Sequence, residues 1–248
     1  MQTAPDTPQN GIIRQTALSD WYSLLSLLLQ RPTKELICSL LQTSPGDDLE
    51  RIADELGATS SEVKCICMEF DNLSQYLSAD EDALGNARRE HTRLFRHPKK
   101  PAVWPYEGVF ADEERLTRGM KSTESRLFVN PAAMDAERCY ASMGFKLTSN
   151  ITPADDIIIE LDYVGRLHRK FAEALIKEDH EEQNRVQSAL THFKATHLSN
   201  WVPCFFSQCK ELSRHPLYRV VGETGRLLME VEQIGEGSPP SAPDCRSR

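Results

Sequence analysis

The chain has 248 residues, 40% of them hydrophobic and 27% charged, with a formal net charge of −8. That composition supports a buried core, in one large domain or two small ones. The acidic balance disfavours nonspecific DNA or RNA binding, which needs a clustered positive surface, and it suits a basic partner.

Residues 1–11 are polar and contain prolines, and are expected to be flexible. The tail 235–248, GEGSPPSAPDCRSR, has the composition of a disordered segment. Between them, 12–234 reads as one all-α domain of about ten helices with short links. Leu18, Trp21, Tyr22, Leu25, Leu28 and Leu29 follow the 3, 4, 7 spacing of an amphipathic helix, which Pro32 stops. Leu36, Ile37, Leu40 and Leu41 start a short second helix. Asp48 to Leu56 reads as a third, closed by Gly57. Thr59 with Glu62 and Ser78 with Glu81 fit capping boxes, which predicts helices over about 60–77 and 80–96. His97-Pro98 ends the second of these.

A stiff stretch follows, HPKKPAVWPYEGVF (His97 to Phe110), with prolines at 98, 101 and 105. It is expected to be non-helical and to carry Trp104, Tyr106 and Phe110 on a rigid kink. A short helix is expected near Asp112–Lys121. Asn130-Pro131 is an N-cap followed by a first-turn proline, opening a helix that stops at Gly144. Thr152 caps the next helix, with Pro153 first and Asp155 and Asp156 in the first turn. Ile157, Leu161, Val164, His168, Phe171 and Leu175 then run down one face. Two helices cover about 180–213, breaking near Ser199–Pro203, and a last one begins near Pro216.

The strongest apolar window, LLSLLL at Leu24–Leu29, is far short of the ~20 residues of a membrane span. No secretory leader pattern opens the sequence, and Arg88-Arg89 lies deep in a charged helix. A cytoplasmic protein is expected. The seven cysteines are scattered, with no C-x-x-C, and read as reduced thiols in preference to a metal or disulfide framework. There is no Gly-rich phosphate loop, no G-x-S-x-G and no H-E-x-x-H. His192 and His197, five apart, poorly share a helical face. The residues therefore read as a binder, not an enzyme, with no cofactor.

Three segments add to this. They are EHTRLFRHPKKPAVWPYEGVF (Glu90 to Phe110), TPADDIIIELDYVGRL (Thr152 to Leu167) and HLSNWVPCFFSQCKELSRHPLYRVVGETGRLL (His197 to Leu228). In order and spacing they resemble the TorD/DmsD/NarJ family, cytoplasmic chaperones for molybdopterin oxidoreductases exported by the twin-arginine route. The second reads T-P-A-D-D where the family has E-P-x-D-H, so Asp156 stands where an imidazole is usual. The resemblance implies an all-helical TorD-like fold. It also implies binding of a partner reductase through its twin-arginine signal peptide, so that export waits for cofactor loading. A monomer or a domain-swapped dimer is consistent with it.

A twin-arginine leader presents two guanidinium groups and an apolar segment. Its receptor needs carboxylates beside an apolar groove. The residues expected to form it are Leu94, Phe95, Trp104, Pro105, Tyr106, Glu107, Phe110, Asp155 and Asp156. Asp155 is assigned mainly to helix capping and Asp156 to the ligand. Other readings stay open at this point. They are a NarJ-like assembly factor for a cytoplasm-facing nitrate-reductase-type enzyme, a helical nucleotide hydrolase, and a helical adaptor.

Overall fold

The computed structural model describes residues 8–58, 60–117, 130–147 and 152–234. These form eleven α-helices: α1 (Pro8–Leu29), α2 (Lys34–Gln42), α3 (Pro45–Leu56), α4 (Ser60–Ala79), α5 (Ala83–Phe95), α6 (Glu107–Thr117), α7 (Pro131–Ser142), α8 (Ile157–Ile176), α9 (His180–Phe193), α10 (Val202–Leu212) and α11 (Pro216–Val231). A π-helical turn, Lys194–Leu198, joins α9 to the bend before α10. No strand occurs among the described residues, only one isolated bridge. None of their helices is long and apolar enough to cross a membrane.

The core is organised around α1 and α8, the most extensive helix pair in the fold. The stripe Trp21, Tyr22, Leu25 and Leu28 of α1 is fully buried, as are Leu161, Val164 and Leu167 of α8. Each such side chain contributes about 1.5–3 kcal/mol over an exposed one. The two axes come close because residue 165 is glycine. A Cβ there would lie 3.2 Å from the Cβ of Tyr22 and 3.3 Å from the Ser19 carbonyl oxygen. Helices α3 and α4 pair on one side, α10 and α11 on another, and α9 lies along α8.

Several boundaries differ from the sequence expectation. α1 begins at Pro8, inside the stretch expected to be flexible, while residues 1–7 and the tail 235–248 lie outside the described residues. Ser78 opens no helix. It sits in the last turn of α4 and donates its hydroxyl to the Ser74 carbonyl, and α5 starts after Asp82 instead. Thr59 is outside the described residues. Glu107 and Phe110, expected on a non-helical kink, lie in the first turn of α6, so the helix expected from Asp112 starts earlier. Helix α8 starts at Ile157, not near Thr152, because Asp156 takes the cap position and residues 153–155 form a turn ahead of it. The six cysteines among the described residues are free.

Candidate functional site

The proline stretch doubles back on the helix it follows. Ala102 and Val103 donate their N–H groups to the carbonyls of Arg93 and Leu94, at 3.1 and 2.8 Å. This seats Val103 in the core and directs the chain across the start of α8. There Glu107 N–H donates to the Asp155 carbonyl at 3.0 Å, and Ile157 N–H donates to the Pro105 carbonyl at 2.9 Å. Tyr106 and Asp156 thus face each other in an antiparallel bridge. Proline suits position 105, whose missing N–H is not needed and whose carbonyl does the accepting.

Asp156 does not face outward as expected. It is fully buried, and one carboxylate oxygen accepts the Ile158 N–H at 2.9 Å, capping α8. The other accepts Arg96 Nη2 at 2.9 Å. The same guanidinium hydrogen bonds to the Tyr106 hydroxyl and lies over its ring, 5.3 Å from the centroid. Burial works against the Arg96 charge, but Asp156 and Tyr106 outweigh it and hold its pKa up. An internal arginine therefore already occupies this carboxylate.

Asp155, assigned to capping, instead ties three elements together. Its Oδ2 accepts from the Gly108 N–H at 3.1 Å and from the Asn130 side-chain amide at 3.0 Å. Asn130 Oδ1 meanwhile caps α7 through the Ala133 N–H. Residue 108 must be small, since a Cβ would fall 2.8 Å from Asn130 Oδ1. Burial pushes the Asp155 pKa up, and the Asn130 and Gly108 hydrogen bonds pull it part of the way back.

Glu107 points inward from the first turn of α6, and its carboxylate meets His197 Nδ1 at 2.8 Å. Beside it is Glu160 of α8, completely buried, with neither oxygen hydrogen bonded in normal geometry. Burial raises the Glu160 pKa well above its ordinary value, and the Glu107 and Asp155 charges raise it further. Burial and its acidic neighbours thus favour the protonated form of Glu160.

Among the expected apolar members, Leu94, Phe95 and Phe110 are core residues. Phe95 packs against Phe205 and Tyr218, and Phe110 against Trp201. Their aromatic bulk is spent on closing the fold, and they are not groove walls in this state. Pro105 is buried. Trp104 and Tyr106 are half-buried, Trp104 packed against the core and Tyr106 under the Arg96 guanidinium.

Sequence reasoning missed Arg96, Asn130, Glu160 and His197. Glu160 carried a visible signal, a carboxylate four residues after Asp156 and directly before Leu161 on an otherwise apolar stripe. Arg96 carried none, because its partner is 60 residues away.

Residues 64–207, more than half of the chain, match the family described as nitrate reductase delta subunit. The chain is similar to "Chaperone protein TorD" of Photobacterium profundum, 25% identical over 165 residues that cover 66% of this chain and 70% of that protein. It is also similar to "Chaperone protein TorD" of Vibrio atlanticus, 26% identical over 146 residues, 58% of this chain and 61% of that protein. The matched span contains the whole of the kink, the start of α8 and the π turn, and the chain belongs to the nitrate reductase delta subunit family, the TorD/NarJ group of redox-enzyme chaperones.

Proposed function

We propose that this chaperone binds the twin-arginine signal peptide of a molybdopterin oxidoreductase and holds the enzyme back until its cofactor is loaded. The observation that carries the reading is the Tyr106–Asp156 bridge. It fixes the kink against a long helix, so the half-buried faces of Trp104 and Tyr106 are presented on a rigid support. Such a surface loses little entropy when an apolar peptide segment docks on it. The buried Asp155, Asp156 and Glu107 hold that support in place.

The guanidinium pair of the leader needs carboxylates not already neutralised within the fold. A cleft of about 300 Å³ between α4 and α11 offers Glu62, Glu69, Glu223 and Glu230 around Ile66 and Leu227. Glu223 and Glu230 are shared with Lys210 and Arg226, which leaves Glu62 and Glu69 to receive the peptide charges. Micromolar binding needs only about −8 kcal/mol, so a few such anchors suffice and release stays fast.

Calorimetry with a synthetic twin-arginine leader from the neighbouring reductase gene tests this. Trp104→Ala with Tyr106→Ala weakens binding at least tenfold, with the helical circular dichroism intact. Glu62→Gln with Glu69→Gln weakens it and flattens its salt dependence. Full affinity in both variants overturns the reading. The family description favours a second one, in which the client is a nitrate-reductase-type subunit facing the cytoplasm. Co-purification with such a subunit, and no leader binding, distinguishes it.

A further inference from the structure

His197 sits at the end of the π turn with its side chain 3% exposed. Its ring is stacked on Phe193 at 4.6 Å, and its backbone carbonyl accepts the Trp201 indole N–H at 2.6 Å. The imidazole is therefore fixed in both position and rotation. Nδ1 meets Glu107 Oε2 at 2.8 Å, and in the tautomer with the proton on Nδ1 the lone pair lies on Nε2. That nitrogen has no hydrogen bond, and it is aimed at α7.

What it faces there is another pair of lone-pair donors. Asp135 and Cys139 are four residues apart on α7, so they share one face of the helix. Asp135 Oδ2 lies 3.4 Å from His197 Nε2, and one ligand atom from each of Asp135, Cys139 and His197 can be chosen so that all three lie within 4.8 Å of one another. In that tautomer the imidazole lone pair and Asp135 Oδ2 face each other across a gap that a cation would bridge, while Asp135 Oδ1 accepts from Arg138 at 3.1 Å.

We propose that Asp135, Cys139 and His197 form a binding site for a zinc-like divalent metal ion. One oxygen, one sulfur and one nitrogen suit a borderline-soft ion and disfavour magnesium or calcium, which take oxygen ligands. Glu107 is the positioning residue. It holds the imidazole in the tautomer that exposes Nε2, as a carboxylate behind a metal-bound histidine does. Three protein ligands leave a fourth position, on the side where Asp135 is 43% exposed. As the metal–sulfur bond forms, the Cys139 S–H bond breaks and its proton passes to solvent.

The test is a cobalt(II) titration of the full chain after chelator treatment, with zinc as competitor. One equivalent binds and gives a thiolate-to-cobalt charge-transfer band that zinc abolishes. Cys139→Ser, at a partly exposed position, folds normally and loses the band. Cys65→Ser, at an exposed cysteine outside the cluster, keeps it. Glu107→Gln keeps the band but weakens affinity by about 10–100-fold. No band, or a band of equal strength in Cys139→Ser, overturns the proposal.

Discussion

Two clusters of ionisable side chains are buried in this fold, and they are built on opposite plans. Where Tyr22, His168, Lys194 and Glu232 meet, every charge has its partner. Lys194 donates to Glu232 at 2.7 Å, and the Tyr22 hydroxyl donates to Glu232 Oε2 at 2.6 Å. His168 Nδ1 meets Gln15 Oε1 at 2.6 Å, and Nε2 meets Lys194 Nζ at 2.9 Å. Only one tautomer satisfies both, with Nδ1–H donating and Nε2 accepting, so His168 is neutral. Burial penalises the Glu232 carboxylate, but Lys194 more than offsets it and holds its pKa below the usual range. Behind the kink the balance fails. Glu107, Glu160 and Asp155 crowd together, with His197 hydrogen bonded to Glu107 and Arg96 already paired with Asp156. The first plan locks α1, α8 and the end of α11 together. The second leaves groups under-partnered, as is typical where a protein binds something.

The same chemical change should therefore have opposite consequences at the two places. Glu232→Gln leaves Lys194 buried without its counter-charge and costs about 3–5 kcal/mol in urea unfolding at pH 7. Glu160→Gln puts a neutral isostere where burial favours the protonated carboxyl, so it changes stability by less than about 1 kcal/mol near pH 4 and raises it at pH 7. Equal losses at both positions would erase the distinction between the clusters.

The pH response sharpens it further. Burial and then Lys194 lower the His168 pKa from 6.5 to about 4, and burial and then Arg96 do the same to His91. Both bind fewer protons when folded, so stability falls as pH drops from 6.5 to about 4, by up to about 3 kcal/mol for His168. The acid cluster has the reverse sign. Glu160 binds its proton more tightly in the folded state, so its contribution is lost as pH rises from 4.5 toward its raised pKa. Chemical-denaturation curves across pH 4 to 8 on His168→Gln and Glu160→Gln separate the two limbs. Glu160→Gln should flatten the limb above pH 4.5, and His168→Gln should remove its own share of the acid limb while that of His91 stays.

Smaller effects follow at the kink and on the surface. A double-mutant cycle on Arg96 and Asp156 should give a coupling of about 1–3 kcal/mol, because Asp156 is fully buried while Arg96 is 33% exposed. The exposed Arg166–Asp162 pair should couple by less than about 0.5 kcal/mol and vanish in high salt.

The difference between the clusters also explains what could be read from the sequence. Local patterns carried the helices. The α1 stripe, the Asn130-Pro131 start and the Pro216 start are set within a few residues and appear as expected. The proximity of the kink to the start of α8 came from the family resemblance and is present as the Tyr106–Asp156 bridge. The roles of the two aspartates were exchanged, because the cap was assigned from the T-x-x-D spacing. A turn ahead of α8 shifts the cap to Asp156 and frees Asp155 to accept from Gly108 and Asn130. The spacing of His197 from His192 fits no shared helical face and gives no hint of a role for His197. Its partners are on α6 and α7, and no local spacing encodes them.

The cluster behind the kink is over-supplied with carboxyl groups, while the one at Lys194 is balanced; everything else in the comparison depends on that contrast. Site-resolved carbon-13 NMR of the glutamate side-chain carboxyls at pH 7 tests it directly. The expected result is a protonated Glu160 beside an ionised Glu232 in the same molecule. An ionised Glu160 at that pH would contradict it.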